Sequence, residues 1–188
     1  MNEHDTYFDY LKGRSRAALI YRQWFLYPRL CRHLHGDAVD IGCGIGDMVA
    51  FRPRTVGADI NPNTVAHCRH RGLPAVLMPP DSLPFVSRSF DSAILDNVLE
   101  HIADPRGLLD ETHRVLKPDG VVLIGVPGER GYAWDSDHKT YYDEKKLVST
   151  MRKHGFSHET SFHIPWRSPV LSARMRQYCV YALFRTHD

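Results

Sequence analysis

Short, almost continuously apolar runs recur along the chain and are separated by polar segments with helical spacing. Apolar residues that do not alternate with polar ones are typical of strands buried on both faces of a parallel sheet. Strands that alternate with helices imply such a sheet with helices on both sides. The runs that predict parallel strands are Ala38–Ile41, Thr55–Asp59, Ala75–Met78, Phe90–Leu95 and Gly120–Val126.

Capping and breaking residues bound the predicted helices. Asn61 at the cap and Pro62 at the first helical position start a helix that runs to Arg71 and is ended by Gly72. The same signals predict helices over Asp47–Phe51, Pro105–Leu116 and Glu144–His154.

Two further strands are predicted near the C-terminus, over Phe156–Phe162 and Gln177–Arg185. The last of these is rich in aromatic and β-branched residues, and we expect it to pair antiparallel to its neighbour. The predicted fold is therefore α/β: a Rossmann-like, doubly wound, mostly parallel seven-stranded sheet with an antiparallel last strand.

The N-terminal residues 1–37 differ from the rest because Arg16–Leu34 interleaves arginines with large apolar residues. This spacing predicts an amphipathic helix, interrupted near Pro28. Two roles stay open. The favoured one is a cover over one face of the sheet; the other is a helical lid over the glycine turn described below, using Tyr7, Tyr10 or Arg14.

Composition narrows the function classes. The chain has 188 residues, 43% of them hydrophobic, and a formal net charge of +2. This length favours a single domain, made of the N-terminal cap (1–37), a cofactor-binding core (38–126) and an acceptor-side part (127–188). The near-balanced charge does not favour nucleic acid, and no segment is long and apolar enough for stable membrane insertion.

Cysteine and histidine usage adds two expectations. The four cysteines are widely spread and show neither metal-ligand spacing nor a dense secreted framework, which favours a reducing, cytoplasmic location. The 12 histidines lack the paired spacing on one helix face that zinc sites use, so no metal is expected.

The run AVDIGCGIG, residues 38–46, carries the first chemical signal. Its glycines Gly42, Gly44 and Gly46 permit positive φ values and a side-chain-free surface under a nucleotide-like ligand. Ligands of open parallel sheets bind beyond the carboxyl ends of strands, and Asp59 ends the second strand. An ionised carboxylate there can accept hydrogen bonds from both ribose hydroxyls. Each such aspartate could equally cap a helix or face water.

Taken together, these motifs resemble the class I S-adenosylmethionine-dependent methyltransferases, within them the broad group that acts on small metabolites, lipids or glycans. The resemblance covers roughly Asp37 to Phe156 and lies in VDIGCGIG, GADINP, MPPDSLPF, FDSAILDNVLEHIADP, HRVLKPDG and DHKTYY. It implies S-adenosylmethionine as cofactor and S-adenosylhomocysteine as product. It also implies cofactor contacts from Asp40, Gly42, Gly44, Gly46, Asp59, Ile60, Asp81, Ser82, Asp96, Asn97 and Val98.

The resemblance implies methyl transfer by in-line displacement at the sulfonium methyl group, to a small-molecule acceptor. An oxygen acceptor needs proton removal, and His101 and His138 are the candidate catalytic bases. The segment between Gly46 and Val56 is shorter than is usual in the family. Two alternatives remain: a non-catalytic S-adenosylmethionine-binding regulatory protein and a nucleic-acid methyltransferase. We expect a monomer or homodimer.

Overall fold

The computed structural model describes residues 8, 9, 11–13 and 15–187. Its centre is a seven-stranded sheet in the order β3-β2-β1-β4-β5-β7-β6. Strands β1 to β5 are parallel, while β7 lies between β5 and β6 and is antiparallel to both. The predicted α/β sheet with an antiparallel last strand is therefore confirmed. The strands are β1 (Ala38–Ile41), β2 (Thr55–Asp59), β3 (Ala75–Leu77), β4 (Phe90–Asp96), β5 (Leu116–Pro127), β6 (Phe156–Ile164) and β7 (Cys179–Thr186).

Helices cover both faces because side chains alternate along each strand. One apolar cluster joins Ala93 and Leu95 of β4 to helices α5 and α7, while Ile94 faces the opposite cluster. The helices are α1 (Arg16–Tyr21), α2 (Tyr27–Cys31), α3 (Asp47–Phe51), α4 (Pro62–His70), α5 (Arg106–Val115), α6 (Glu129–Trp134), α7 (Glu144–Lys153) and α8 (Pro169–Arg174).

The N-terminal helical region covers the second face of the sheet. Arg22–Leu26 forms a π-helical segment between α1 and α2, just before Pro28. Proline has no N–H to donate, which accounts for the irregular turn that the sequence predicts there. Leu26, Tyr27 and Leu30 pack in one cluster with Ile94 and Leu123 of the sheet. Tyr7, Tyr10 and Arg14, the residues of the alternative lid, lie outside the described residues.

Two short helices and one strand differ from the sequence prediction. Helix α6 contains Gly131, and α8 is only six residues long, so both give weak helical signals. Strand β5 begins at Leu116 rather than at Gly120, because Leu116 already pairs with Phe90 before the register shifts. Asp119 has φ 59°, which lets the intervening residues bulge out of the sheet.

Candidate active site at the carboxyl ends of β1 and β4

A cavity of about 410 Å³ opens beyond the carboxyl ends of β1 and β4. These two strands are neighbours, and the chain leaves them toward opposite edges of the sheet. Such a reversal is where open α/β sheets bind ligands, and the volume suits a small molecule. The cavity lies between the glycine turn, the segment after β4, the residues around α6 and the N-terminal helical region.

The glycine turn has the backbone that the sequence predicts. Gly42, Gly44 and Gly46 have φ values of 75°, 53° and 79°, a region that L side chains rarely adopt. A Cβ on Gly42 would lie 2.6 Å from Val98 Cγ2, so only glycine allows this close approach. Gly42 and Gly44 line the cavity, and Leu11 reaches over Gly44 from the N-terminal segment.

Asp59 braces this turn from the end of β2. Its Oδ2 accepts a hydrogen bond from the Gly44 N–H at 2.7 Å, and its Oδ1 accepts one from the Asn61 N–H at 2.8 Å. The side chain is buried and does not line the cavity. Asp59 therefore fixes the glycine turn relative to β2 and α4 through two charge-assisted hydrogen bonds.

Asp40 brings a second buried carboxylate, which does line the cavity. Burial, together with the nearby carboxylates of Asp96 and Asp59, raises the pKa of Asp40 well above its ordinary value. A cation in the cavity would relieve this repulsion and favour the ionised form.

Asp96, at the end of β4, belongs to a hydrogen-bonded group in the cavity wall. Its Oδ1 accepts from the Tyr181 hydroxyl at 2.8 Å and from Asn97 Nδ2 at 3.0 Å. Arg22 Nη1 of the π-helical segment lies 3.9 Å from Asp96 Oδ2. The N-terminal helical region thus contributes a charged group to the site as well as covering the sheet.

Glu100, His101 and His138 meet at another part of the cavity wall. Glu100 and His101 lie in the 3₁₀ turn Leu99–His101 after β4, whereas His138 follows α6. The Glu100 side chain is 1% exposed, and neither of its oxygens has a hydrogen-bond partner among the described residues. Burial raises the pKa of Glu100 to about 8. Burial and the neighbouring His138 lower the pKa of His101.

Hydrogen bonds to backbone carbonyls position the segments that carry Glu100 and His138. The N–H groups of Lys139 and Thr140 donate to the Glu100 carbonyl at 2.7 and 3.0 Å. His138 Nδ1 lies 2.8 Å from the Tyr132 carbonyl, and His138 Nε2 lies 4.0 Å from Glu100 Oε1. Because a carbonyl only accepts, Nδ1 carries the proton in this contact, and Nε2 is the ring nitrogen that faces Glu100.

Seven of the residues predicted for the site line this one cavity: Asp40, Gly42, Gly44, Asp96, Asn97, His101 and His138. The other predicted residues lie outside its lining. Gly46 precedes α3, Ile60 is 47% exposed, and Val98 packs against Gly42. Asp81 and Ser82 are exposed in the loop after β3.

Sequence reasoning missed Glu100, Arg22 and Tyr181 as site residues. Glu100 follows the apolar pair Val98 and Leu99 in the run NVLEHI, and a carboxylate directly after apolar residues is a signal that could have found it. Arg22 and Tyr181 gave no local signal, because the fold brings them to Asp96 from distant parts of the chain.

Comparison with known proteins places this arrangement in a family. The family model described as a methyltransferase domain matches residues 39–124, which include the glycine turn, β4 and Glu100. A protein of Mycobacterium tuberculosis named as an S-adenosylmethionine-dependent methyltransferase is 32% identical over 155 residues, covering 73% of this chain and 57% of that protein.

Two other relatives have different or no assigned activities. An uncharacterized protein of Methanocaldococcus jannaschii is 30% identical, covering 81% of this chain and 72% of its own length. Human mitochondrial arginine-hydroxylase NDUFAF5 is also 30% identical, covering 81% of this chain but 43% of that protein. The chain thus spans well under two thirds of two of these three relatives.

A solved structure supports the fold over the whole chain. It is a chain of the complex between the Trm112 methyltransferase activator of Haloferax volcanii and a methyltransferase, with a TM-score of 0.77 and 18% identity. The match covers 100% of this chain and 99% of that chain. The chain belongs to the class I S-adenosylmethionine-dependent methyltransferases, a family of enzymes, and its cofactor is S-adenosylmethionine.

Proposed function

We propose that this chain transfers a methyl group from S-adenosylmethionine to a small-molecule acceptor inside the cavity beyond β1 and β4. One observation carries the proposal: a single cavity joins the glycine turn of a cofactor site to a buried cluster of ionisable groups. Glu100, His101 and His138 form this acceptor-side cluster. The two sets of residues give the cavity a cofactor end and an acceptor end.

The cofactor end suits a ligand that carries positive charge. Gly42 and Gly44 leave backbone surface open to the cavity, and the buried Asp40 carboxylate borders the same space. S-adenosylmethionine carries a sulfonium and an ammonium group, so Asp40 and the Asp96 group would stabilise it by charge. The remaining predicted contacts, Gly46, Asp59, Ile60, Asp81, Ser82, Asn97 and Val98, complete the proposed cofactor-binding set.

The acceptor end supports a small molecule as substrate. Its lining includes Trp134 and Asp135, and the cavity volume of about 410 Å³ leaves limited room beside a cofactor. Bound S-adenosylmethionine supplies an electrophilic methyl group, so the chain's own task is to align the acceptor and exclude water. The acceptor-side cluster contains groups that can hold or remove an acceptor proton.

Direct binding and turnover test this proposal. We expect S-adenosylhomocysteine to bind in calorimetry with one site per chain, and the D40N variant to bind at least tenfold more weakly. The matched control is D110N, because Asp110 is an exposed aspartate of α5 that contacts His154 and does not line the cavity. Wild-type affinity in D40N would contradict the cofactor site.

A panel of small acceptors then tests catalysis by release of S-adenosylhomocysteine. We expect release with a metabolite, lipid or glycan precursor that carries a hydroxyl or amine. Tight cofactor binding without release on any acceptor class would instead support a non-catalytic binding protein.

The location of the protein is proposed from its cysteines alone. All four cysteines are free thiols, which supports a reducing compartment such as the cytoplasm. Among the described residues, the helices are too short and too polar to span a bilayer.

A further inference from the structure

The acceptor-side cluster has the composition of a metal-binding site. We propose that Glu100, His101 and His138 bind one divalent transition-metal cation of the zinc or iron type. One ligand atom from each of the three side chains lies within 4.8 Å of the other two. No metal is predicted from the sequence, because its histidines lack the paired spacing on one helix face that zinc sites use.

Glu100 is the observation that points most directly to a missing positive charge. Its carboxylate is buried, lines the cavity, and has no hydrogen-bond donor among the described residues. A buried acceptor without a donor raises the free energy of the folded state, and more so when it is charged. The Glu100 carboxylate lies at the cavity wall, where a bound cation could compensate its buried charge.

The two imidazoles fit the same interpretation. His138 donates through Nδ1 to the Tyr132 carbonyl, which leaves Nε2 as the ligand atom on the side of Glu100. His101 Nδ1 lies 3.3 Å from Asp137 Oδ2. Histidine ligands of metals typically have their second ring nitrogen bound to a carbonyl or carboxylate, which sets the ring's orientation.

The donor set limits the metal. Two imidazoles with one carboxylate suit zinc or iron(II), whereas magnesium and calcium prefer oxygen ligands. Metal–ligand bonds of about 2.0–2.2 Å place ligand atoms roughly 3.3 Å apart. The ligand atoms, now within 4.8 Å of one another, therefore need to approach by up to about 1.5 Å when a metal binds.

Three protein ligands leave coordination positions open toward the cavity, as in catalytic metal sites. Such a cation would hold an oxygen or nitrogen atom of the acceptor at the acceptor end. This role rests on the proposed methyl transfer, whereas metal binding itself does not.

The test is zinc binding to the full chain after treatment with EDTA, measured by competition with a chromogenic chelator. We expect one Zn²⁺ per chain, and a loss of affinity of 100-fold or more in E100Q and in H138N. H154N is the matched control because the His154 side chain pairs with the exposed Asp110 and does not line the cavity. Co²⁺ in place of Zn²⁺ should give a visible absorption band in the wild type that both cluster variants lack.

No stoichiometric zinc binding, or one-to-one binding that survives both substitutions, would overturn the metal site. If the buried E100Q substitution prevents folding, H138N alone decides, because His138 lies in a loop rather than in the core. S-adenosylhomocysteine binding in the presence of EDTA separates the two proposals. Cofactor binding without zinc binding refutes only the metal site, while zinc binding without cofactor binding refutes only the proposed function.

Discussion

Two buried carboxylates, Asp59 and Glu100, border the same glycine-rich end of the sheet but differ in their hydrogen bonding. Asp59 is 4% exposed and Glu100 1% exposed. Asp59 accepts backbone hydrogen bonds on both oxygens, whereas neither Glu100 oxygen has a hydrogen-bond partner among the residues from 15 to 187. Burial alone therefore does not distinguish a carboxylate with hydrogen-bond donors on both oxygens from one with none.

The two carboxylates differ in whether the chain itself supplies their hydrogen-bond donors. Asp59 accepts hydrogen bonds from the N–H groups of Gly44 and Asn61, so each of its oxygens has a donor before any ligand arrives. Glu100 remains uncompensated at a cavity wall beside two histidines. We infer that the cofactor end is preorganised by the chain itself, whereas the acceptor end is completed by what it binds.

The largest effect is expected from removing Asp59. D59A leaves two buried N–H groups without an acceptor and should lower the free energy of unfolding by about 4 kcal/mol, since hydrogen bonds to charged groups contribute about 1.5–3 kcal/mol each. Urea unfolding measures this change. A loss below about 1 kcal/mol would show that Asp59 does not brace the turn.

Removing the charge of Glu100 should instead raise the free energy of unfolding. In the folded chain the pKa of Glu100 is about 8, against an ordinary value of 4.5. Between these values the folded state binds more protons than the unfolded state, so the stability contributed by this group falls as the pH rises.

E100Q, measured in EDTA, should therefore be more stable than the wild type at pH 7, by about 3 kcal/mol relative to the same comparison at pH 4. Urea unfolding at the two pH values checks this difference. Equal effects of the substitution at both values would contradict an uncompensated carboxylate.

The smallest effect is expected at Tyr181, which lines the cavity beside Asp96. Y181F removes the hydroxyl that donates to Asp96 at 2.8 Å, while the ring stays packed in the core. Unfolding should become easier by about 1 kcal/mol, and binding of S-adenosylhomocysteine should weaken less than in D40N. A stronger loss of binding than in D40N would show that Asp96, and not Asp40, makes the main charge contact with the cofactor.

The cofactor end could be predicted from the sequence because its signals are local. Strands β1 and β2, the short helix α3 and the Asn61 cap all follow from residues adjacent in the chain, and their bounds match the prediction closely. The acceptor end depends on tertiary contacts. Glu100 is buried against His138 only because Lys139 and Thr140 bind its carbonyl, and no periodicity in the sequence encodes that contact.

Helix α8 shows that a local signal can also be present and still be overlooked. Ser168 accepts a hydrogen bond from the Leu171 N–H at 3.3 Å, and Pro169 follows it at the first helical position. This cap is readable from the sequence, but six residues give too little periodicity to extend it into a helix.

The most direct test of the central claim is a crystal structure of this chain with S-adenosylhomocysteine bound. The account predicts that the ligand lies on Gly42 and Gly44, and that its sulfur points toward the space bordered by Asn97, Glu100 and His138. A ligand bound outside this cavity, or one whose sulfur faces away from Glu100 and His138, would contradict the division into a cofactor end and an acceptor end.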